Sequence, residues 1–536
     1  MMTTVKQQRQ KKRSFIAAII LALLAAGLFI PKAEAAEPFP YEEITVNQLL
    51  KGYSNGTYTT EEVVQAYLDR IETYESSYNA FTVLNPDAIE QAREIDRRRA
   101  AGEPLGPLAG IPVVVKESVD MTGFPATFGW EALGPNGSLQ LIPAKDAPVV
   151  ARLKKADAII IGRTNIPAFS ASGTDAGTSW AGHTYNAYDR ALAPGGSSSG
   201  TAMAISGNFA VLGIAEETGG SIQNPAAAQG VVGIKPTFGL VPNTGVVPLG
   251  GSTRDVVGPH ARTVRDAAIM LDVLAGYTPE DPKTVASIGN TPRKSYTEKL
   301  NVQALKGKRI GLYGPGWRNQ ELTPDTQALY DEAVKVLEAQ GAIVVADPFA
   351  GSDFAELIAN APSSGLESFI YDLGQYVKNL GNETDTLKEL FAQTGLPWEE
   401  GGPIRWISSS MDLDQALDNP DAAPDLDAFS ETRSAILREF NRVMDTYDLD
   451  ALAFPQMFKE TPTLGSGEQI GATTVSEINM AGVPLVTVPA GYYPSGAPFA
   501  LAFVGKMWSE ADLLAYAYDY EQATTHRKAP ELVVKP

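Results

Sequence analysis

The sequence contains no cysteine. This absence excludes disulfide bonds, a thiol nucleophile, thiolate metal ligands and a lipidated N-terminal cysteine. Exported proteins can use disulfides but do not require them. A chain without cysteine is therefore compatible with a bacterial protein of the periplasm, the cell wall or the medium.

Histidine is nearly absent as well, since the chain has only His183, His260 and His526. The three residues lie far apart, and none belongs to a metal-binding pattern such as His-Glu-x-x-His. Nothing in the sequence points to a metal or an organic cofactor, so neither is expected. A serine-histidine-aspartate triad would need one of these residues, and each is better explained as structural or solvent-facing.

A hydrophobic run long enough to cross a membrane is also missing. Residues 15–30 are an apolar stretch of about 16 residues, shorter than the roughly 20 that span a bilayer. A basic segment precedes this stretch, and Ala33-Glu34-Ala35 follows it as a cleavage site. The layout predicts a signal peptide over residues 1–35 and a secreted or extracytoplasmic protein without stable membrane insertion. The alternative is an uncleaved, membrane-anchored segment.

Positive charge is scarce. The chain has 43 Lys and Arg against 63 Asp and Glu, and its formal net charge is −20. Residues 1–35 contain six basic residues and one acid, so the mature protein would carry −25. A body this acidic repels phosphate backbones and anionic membrane surfaces, and nucleic acid is not an expected partner. The sequence indicates no particular oligomeric state.

The remaining composition is that of a globular protein, with 44% hydrophobic and 20% charged residues. From Gly110 onward, short apolar runs bounded by glycine and proline alternate with helical patterns, as in residues 111–115 and 149–156. This alternation predicts an α/β fold: a large mixed, mostly parallel central sheet covered by helices on both faces.

Residues 36–536 are predicted to form a single domain. About residues 42–104 have apolar positions three and four apart, which is typical of helices. About residues 350–430 are acidic and irregular in period, and we interpret them as a helical insertion. Trp398 and Trp406 lie in this insertion. An apolar wall that selects the substrate and simple packing are equally good interpretations of these two residues.

Lys116 follows the apolar residues 111–115 and should stand at the buried carboxyl end of a strand. Sites of open α/β sheets collect at such ends. A lysine can act as a base only when it is neutral, and burial favours the neutral amine by lowering the pKa. Judged by strand position alone, the simpler interpretation is a lysine that ends a strand and reaches water.

Two serines lie in glycine-rich segments. Ser197 stands in Pro-Gly-Gly-Ser-Ser-Ser-Gly before a helical pattern, and Ser221 stands in Glu-Thr-Gly-Gly-Ser-Ile-Gln-Asn-Pro. Gly219 and Gly220 allow a tight turn whose successive N–H groups point to one spot, as in an oxyanion hole. A helix cap or an ordinary turn is the simpler interpretation of each serine. The first segment lacks the Gly-Lys-Ser/Thr that closes a phosphate-binding loop.

In this order and spacing, the three segments resemble the amidase signature family, whose members cleave amides with a serine–cis-serine–lysine triad. The resemblance runs from about residue 41 to 530. Residues 194–200 match the glycine- and serine-rich signature, and residues 233–241 match its continuation. Residues 479–491 are similar to the C-terminal signature, and residues 162–167 to the strand-end segment before the site.

The resemblance implies a role for each of these residues. Ser221 would be the nucleophile, Ser197 the bridging serine with a cis peptide, and Lys116 the base. Ser198 would form hydrogen bonds behind the triad. The oxyanion hole would consist of four successive backbone N–H groups, those of Thr218, Gly219, Gly220 and Ser221.

The family also implies a reaction: hydrolysis of a small-molecule amide through an acyl-enzyme, with no cofactor. One branch of the family is the glutaminase subunit of tRNA-dependent amidotransferases. The predicted signal peptide and the acidic charge argue against that branch, which works with tRNA and partner subunits in the cytosol. A non-catalytic exported binding protein on the same fold is a further alternative, against which the intact Lys116, Ser197 and Ser221 argue.

The sequence departs from the commonest family pattern at two positions. Glu217 stands where many members have aspartate, and Gln223 stands where many have arginine. Neither position belongs to the triad. Because Gln223 removes a positive charge near the nucleophile, we expect this departure to affect the choice of substrate.

Overall fold

The structure is a computed structural model that describes residues 39–381, 386–396 and 402–534. Glu43–Pro536 form one compact unit, and the described part of the preceding unit, residues 39–42, ends in a turn. The predicted signal peptide lies outside the described residues. Within them, no helix combines the length and the hydrophobicity that crossing a membrane requires.

The described residues contain one sheet of eleven strands. The strands are β1 (Phe81–Leu84), β2 (Pro112–Lys116), β3 (Ile159–Thr164), β4 (Leu212–Glu217), β5 (Val232–Lys235), β6 (Val256–Ala261), β7 (Arg309–Leu312), β8 (Ile343–Val345), β9 (Ala451–Pro455), β10 (Leu485–Tyr492) and β11 (Pro498–Val504). Their spatial order is β1-β3-β2-β4-β6-β5-β10-β11-β9-β7-β8.

The sheet is mixed, as predicted, but its strands are mostly antiparallel rather than mostly parallel. Parallel pairs occur in β3-β2-β4 and in β9-β7-β8. The pairs between these two groups are antiparallel, and so is β1-β3. The connections explain the difference. Only residues 493–497 join β10 to β11, which is too short for the crossover that a parallel pair needs.

Both faces of the central strands are covered. Every residue of β2, β3, β4, β5, β6, β9 and β11 is buried. Since successive side chains of a strand point to opposite faces, the sheet is packed on both sides. The predicted covering of the two faces is thereby confirmed.

The helices around the sheet begin and end as follows: α1 (Val46–Asn55), α2 (Thr60–Tyr78), α3 (Ala88–Ala100), α4 (Pro148–Lys155), α5 (Ser199–Ser206), α6 (Gln223–Ala228), α7 (Val264–Leu274), α8 (Pro324–Ala339), α9 (Phe354–Ala359), α10 (Phe369–Asn379), α11 (Leu387–Thr394), α12 (Leu413–Asp418), α13 (Asp427–Thr446), α14 (Ser476–Ala481) and α15 (Glu510–Thr524). Several carry sequence-encoded caps. At α2, Thr59 accepts the N–H of Glu62 and the Glu62 carboxylate accepts the N–H of Thr59, which is a capping box.

The segment between about 350 and 430 holds α9 to α12 and the start of α13. Its α10 and α11 pack against the chain that follows β2. The ring of Tyr376 lies 5.6 Å from that of Phe128, and Phe391 lies 6.0 Å from Trp130. Trp406 is 38% exposed and its ring lies 5.8 Å from Phe369, whereas Trp398 lies outside the described residues.

Candidate active site

Lys116 is the last residue of β2 and is fully buried. Its ammonium donates hydrogen bonds to three acceptors. These are the Ser197 hydroxyl at 2.7 Å, the Glu216 carboxylate at 2.7 Å and the Glu216 carbonyl at 3.0 Å. Because a lysine ammonium has three protons to donate, the three contacts hold Nζ in one place.

The sheet explains why Lys116 meets Glu216. β2 and β4 are parallel neighbours, and Val115 of β2 is in register with Ile214 of β4. The carboxyl ends of the two strands therefore lie at the same edge of the sheet. This is the edge at which sites of α/β proteins collect, as the position of Lys116 in the sequence predicts.

Ser197 lies just before α5, and the peptide bond between Gly196 and Ser197 is cis. Its side chain is fully buried against Lys116. The next residue, Ser198, faces Glu216. Its hydroxyl donates to the Glu216 carbonyl at 3.2 Å and accepts the Glu216 N–H at 3.3 Å. Ser198 thus ties the serine segment to the end of β4.

Ser221 lies in the turn between β4 and α6 and is 5% exposed. The N–H of Ser198 donates to the Ser221 carbonyl at 3.4 Å, so the two serine segments are in contact. A second contact joins them nearby, because a Cβ on Gly195 would lie only 2.3 Å from Cα of Pro225. The structure thus brings Lys116, Ser197 and the backbone at Ser221 to one place.

The turn before Ser221 exposes backbone donors. Within the described part of the chain, no protein acceptor receives the N–H groups of Thr218, Gly219, Gly220 or Ser221. Gly220 has φ +96°, which a side chain would strain. Successive free N–H groups are the donors from which a site for an anionic oxygen is built. This is the place where the sequence predicts the oxyanion hole.

Two opposing effects act on the pKa of Lys116. Burial is the larger effect and lowers the pKa, because an enclosed ammonium loses its hydration. The negative charge of Glu216 opposes it, and Asp255 and Glu217 add weaker contributions. The net result is a pKa below the usual lysine value, which favours the neutral amine that a base requires.

Glu216 and Asp255 are two site residues that the sequence reasoning missed. Both are buried, and the Thr218 hydroxyl donates to Asp255 at 2.6 Å and lies 3.4 Å from Glu216. Burial raises the pKa of Asp255, and the charge of Glu216 raises it further. One signal was available in the sequence: two consecutive acids, Glu216 and Glu217, end an otherwise apolar strand.

The two departures from the family pattern, Glu217 and Gln223, share one hydrogen-bonded network. Glu217 accepts the Gln223 side-chain amide at 2.7 Å and that of Asn479 at 2.8 Å. It also accepts the N–H of Ile222 at 2.8 Å. Gln223 in turn accepts the amide of Gln456 at 2.6 Å. Gln223 is therefore fully buried and occupied by protein partners, and brings no charge to the site.

Metal ligands are not grouped in the described residues, where no cluster of three or more His, Asp or Glu side chains could hold an ion.

A family model described as Amidase matches residues 62–514. The chain belongs to the amidase signature family. The amidase signature fold is also seen in solved structures. A peptide amidase from Stenotrophomonas maltophilia is 31% identical, with a TM-score of 0.77, over 92% of this chain and 100% of the other. A bacterial aryl acylamidase of the amidase signature family is 25% identical, with a TM-score of 0.72, over 90% and 96% of the two chains.

A curated relative of this amidase carries a different description. It is one subunit of the glutamyl-tRNA(Gln) amidotransferase of Carboxydothermus hydrogenoformans, 34% identical over 483 residues, or 87% of this chain and 94% of the relative. The family and these relatives act on amides, so this chain is an enzyme that acts on the carbon–nitrogen bonds of amides.

Proposed function

We propose that this amidase hydrolyses a carboxylic amide through an acyl-enzyme on Ser221. Ser197 and Lys116 relay the proton. One observation carries the proposal: the Lys116 amine, enclosed in the protein, contacts the Ser197 hydroxyl at 2.7 Å on the segment that touches Ser221. A serine hydroxyl is a weak nucleophile unless a neighbouring base takes its proton, and this pair supplies the base.

In the acylation step, the Ser221 oxygen attacks the amide carbonyl carbon. Its proton passes to the Ser197 oxygen, while the proton of Ser197 passes to the neutral Lys116 amine. The carbonyl oxygen becomes an oxyanion, which the free N–H groups of residues 218–221 stabilise. The carbon–nitrogen bond then breaks. The proton returns from Lys116 through Ser197 to the leaving nitrogen, and an ester on Ser221 remains.

Deacylation repeats the sequence with water. Water attacks the ester carbon and gives a proton through Ser197 to Lys116. The tetrahedral intermediate collapses, the proton returns to the Ser221 oxygen, and the carboxylic acid leaves. The enzyme is regenerated with no net proton change.

The likeness to the peptide amidase supports a small-molecule amide as the substrate, because the match extends over the full length of that enzyme. A glutaminase subunit of a tRNA-dependent amidotransferase is the second candidate. It has the stronger support among curated relatives, which are 31% to 34% identical over 87% to 92% of this chain. In that role glutamine would acylate Ser221, and the ammonia released from its side-chain amide would pass to a partner protein.

We also propose that the protein is exported. The basic segment, the apolar residues 15–30 and the Ala-x-Ala site support export. Export favours the small-molecule amide, because tRNA charging takes place in the cytosol. Fractionation of cells, followed by N-terminal sequencing of the protein, tests the proposal. A cytosolic protein that keeps residues 1–35 would contradict it.

A substrate panel tests the proposed reaction and separates the two candidates. It contains C-terminal peptide amides, anilides, fatty acid amides and glutamine, assayed with the parent enzyme, Lys116→Ala and Ser221→Ala. We expect turnover by the parent and its loss in both variants. Glutamine as the single substrate, with ammonia transfer only in the presence of partner subunits and charged tRNA, would establish the second candidate. Equal turnover in the variants would contradict the assignment of Ser221 and Lys116.

A further inference from the structure

A second cavity is formed away from the catalytic residues. Its volume is about 180 Å³, and its walls come from the chain after β2, the chain before α4, the link between β5 and β6, and α10. Among the described residues that line it, none belongs to the proposed triad. Because a cavity of about 150 Å³ holds a molecule of the size of benzene, this one has room for a small organic ligand.

Asp120 presents an unpartnered oxygen to this cavity. The residue is 6% exposed, and its Oδ1 accepts the Tyr376 hydroxyl at 2.5 Å. No described residue donates a hydrogen bond to Oδ2, and Oδ2 is not one of the fully enclosed polar atoms that lack a partner. Oδ2 therefore borders the open space of the cavity. Since buried polar atoms are normally hydrogen-bonded, this oxygen lacks a donor that a ligand can supply.

Two other charged groups of the wall already have partners of opposite charge. The Asp146 carboxylate lies 2.7 Å from Nζ of Lys154. Nζ of Lys145 lies 3.7 Å from the carboxylate of Glu280. The negative and the positive charge of these lining residues are thus balanced locally.

Lys283 and Asp372 approach Gly251 from different directions. Nζ of Lys283 donates to the Gly251 carbonyl and to the Asn243 side chain, both at 2.5 Å. A Cβ on Gly251 would lie 3.5 Å from Oδ2 of Asp372. The carboxylate of Asp372 also accepts the N–H and the hydroxyl of Ser252. The opposite charges of Lys283 and Asp372 therefore offset each other in part.

The charge of Asp120 is not offset in this way. Among the described residues, no cation lies within 4.0 Å of its carboxylate. Arg163 favours the ionised form from a greater distance, whereas Glu117 opposes it. Burial is the larger effect and raises the pKa of Asp120 to about 7. Without a cation beside it, this carboxyl group takes up a proton near neutral pH.

Apolar side chains form another part of the wall. They belong to Pro143, Pro148, Val246, Pro248 and Leu380. A ligand that fits the cavity therefore combines a hydrogen-bond donor, preferably charged, with a short hydrocarbon chain.

We propose that this cavity binds a small alkylammonium ion. The N–H of the ligand donates to Oδ2 of Asp120, and its alkyl chain contacts the apolar wall. A hydrogen bond between charged groups is stronger than one between neutral groups, so the carboxylate selects a protonated amine over an alcohol of equal size. The proposed amide hydrolysis releases an amine, which belongs to this class of ligand, but the cavity does not depend on that reaction.

Titration calorimetry with propylammonium chloride tests the proposal. 1-Propanol is the neutral ligand of matched size, and sodium chloride controls for ionic strength. We expect propylammonium to bind in the millimolar range and propanol to bind much more weakly. Equal binding of the two ligands would overturn the proposal. So would the absence of propylammonium binding, whichever amide the enzyme hydrolyses.

Matched substitutions locate the bound ion. Asp120→Asn should weaken propylammonium binding about 10- to 100-fold, because a hydrogen bond to a charged group is lost. Asp146→Asn removes a lining carboxylate that Lys154 already pairs, so the binding should change by less than about threefold. Equal effects of the two substitutions would contradict a specific contact with Asp120.

Proton release gives a second readout. In the free protein Asp120 has a pKa of about 7, and a bound ammonium favours the carboxylate. Binding at about pH 6 should therefore release most of one proton, and binding at about pH 9 almost none. Calorimetry in buffers of different ionisation enthalpy measures this release, which should vanish in Asp120→Asn. Equal proton release by the parent and the variant would overturn the proposal.

A blocking variant keeps the test valid if Asp120→Asn fails to fold. Asn379 is exposed and lines the cavity at the end of α10, so Asn379→Trp fills space there without removing a charge. It should weaken propylammonium binding. Lys378→Trp, at an exposed position beside it that does not line the cavity, should not weaken it. Undiminished binding in Asn379→Trp would place the ion elsewhere and overturn the proposal.

Discussion

The ammonium of Lys116 lies 2.7 Å from the carboxylate of Glu216, and both side chains are enclosed by the protein. Glu216 favours the charged lysine, whereas burial favours the neutral amine that must accept a proton. Since the reaction needs the neutral amine, Glu216 acts as a positioning residue. It holds Nζ beside Ser197 and sets the pH at which the base becomes available.

The first prediction concerns the pH profile of Glu216→Gln. Removing the carboxylate takes away the strongest effect that opposes burial, so the pKa of Lys116 falls further. The ascending limb of kcat/KM against pH should move about one to three pH units lower, the range that an adjacent opposite charge produces. Steady-state kinetics on one amide between pH 4 and 10 provide the measurement.

Asp255→Asn is the matched control for this prediction. Asp255 also favours the charged Lys116, but its charge acts more weakly than that of Glu216. The ascending limb of the Asp255→Asn pH profile should also move to lower pH, but by a smaller amount. If the ascending limb of the Glu216→Gln profile stayed at the pH of the parent, the ion pair between Lys116 and Glu216 would not control the pKa of Lys116.

The second prediction concerns stability and Asp120. Asp120 accepts the Tyr376 hydroxyl at 2.5 Å, and burial raises its pKa to about 7. The unfolded chain releases this proton near pH 4. Between about pH 4 and 7 the folded state keeps a proton that the unfolded state has lost, so the free energy of unfolding falls as the pH rises.

Asp120→Asn should remove this part of the pH dependence, because the amide does not ionise. For each pH unit between the two pKa values, the parent should lose about 1.4 kcal/mol more than the variant. Urea unfolding at pH 4.5 and pH 8 measures the difference. A variant that keeps the parent slope would show that Asp120 is already ionised in the folded protein at low pH.

The third prediction concerns the contact between the two serine segments. Gly195 has φ +78°, and a Cβ there would lie 2.3 Å from Cα of Pro225. Gly56 at the end of α1 has φ +71° and nothing within 4 Å of its Cβ position. Each alanine variant has the same left-handed strain of about 1 to 2 kcal/mol, but only Gly195→Ala also separates the two segments.

We therefore expect Gly195→Ala to lower the melting temperature more than Gly56→Ala and to lose most activity. Gly56→Ala should stay active. Thermal unfolding and a single amide assay are sufficient for the comparison. Equal effects of the two substitutions would mean that the approach of the segments does not matter for the site.

The fourth prediction distinguishes Ser197, a member of the proposed triad, from its buried neighbour Ser198. The Ser197 hydroxyl contacts Lys116, whereas among the described residues the Ser198 hydroxyl bonds only to the backbone of Glu216. Ser197→Ala should reduce kcat about 10²- to 10⁴-fold, as expected when a proton-transfer group is removed. Ser198→Ala should cost much less. Comparable losses, measured on the same amide, would contradict a specific relay through Ser197.

Local pattern made part of this fold predictable. The apolar runs at 111–115 and 158–162 mark β2 and β3, and the run at 485–489 marks β10. Strand direction could not be read in the same way, because it depends on connections such as the short link between β10 and β11. The four-residue strand β1 lies between two helices, so the helical pattern around it conceals it in the sequence. The strand β6 contains glycine, proline and histidine, which are not typical strand residues.

The site shows the same division between local and distant information. Lys116, Ser197 and Ser221 stand in compact motifs, so their types and spacing identify them. Glu216 meets Lys116 across 100 positions of sequence, through the pairing of β2 with β4. Arg254 approaches Gly219 from the turn before β6. Such pairings depend on the order of the strands, which periodicity does not encode.

Ser221 is proposed as the nucleophile, and Lys116 as the base that activates it. The most direct test of this assignment is labelling with phenylmethylsulfonyl fluoride, followed by intact-mass and peptide-mass analysis of the parent, Lys116→Ala and Ser221→Ala. We expect one sulfonyl adduct on the peptide containing Ser221, much slower labelling in Lys116→Ala and none in Ser221→Ala. An adduct on another serine, or undiminished labelling of Ser221→Ala, would contradict the assignment.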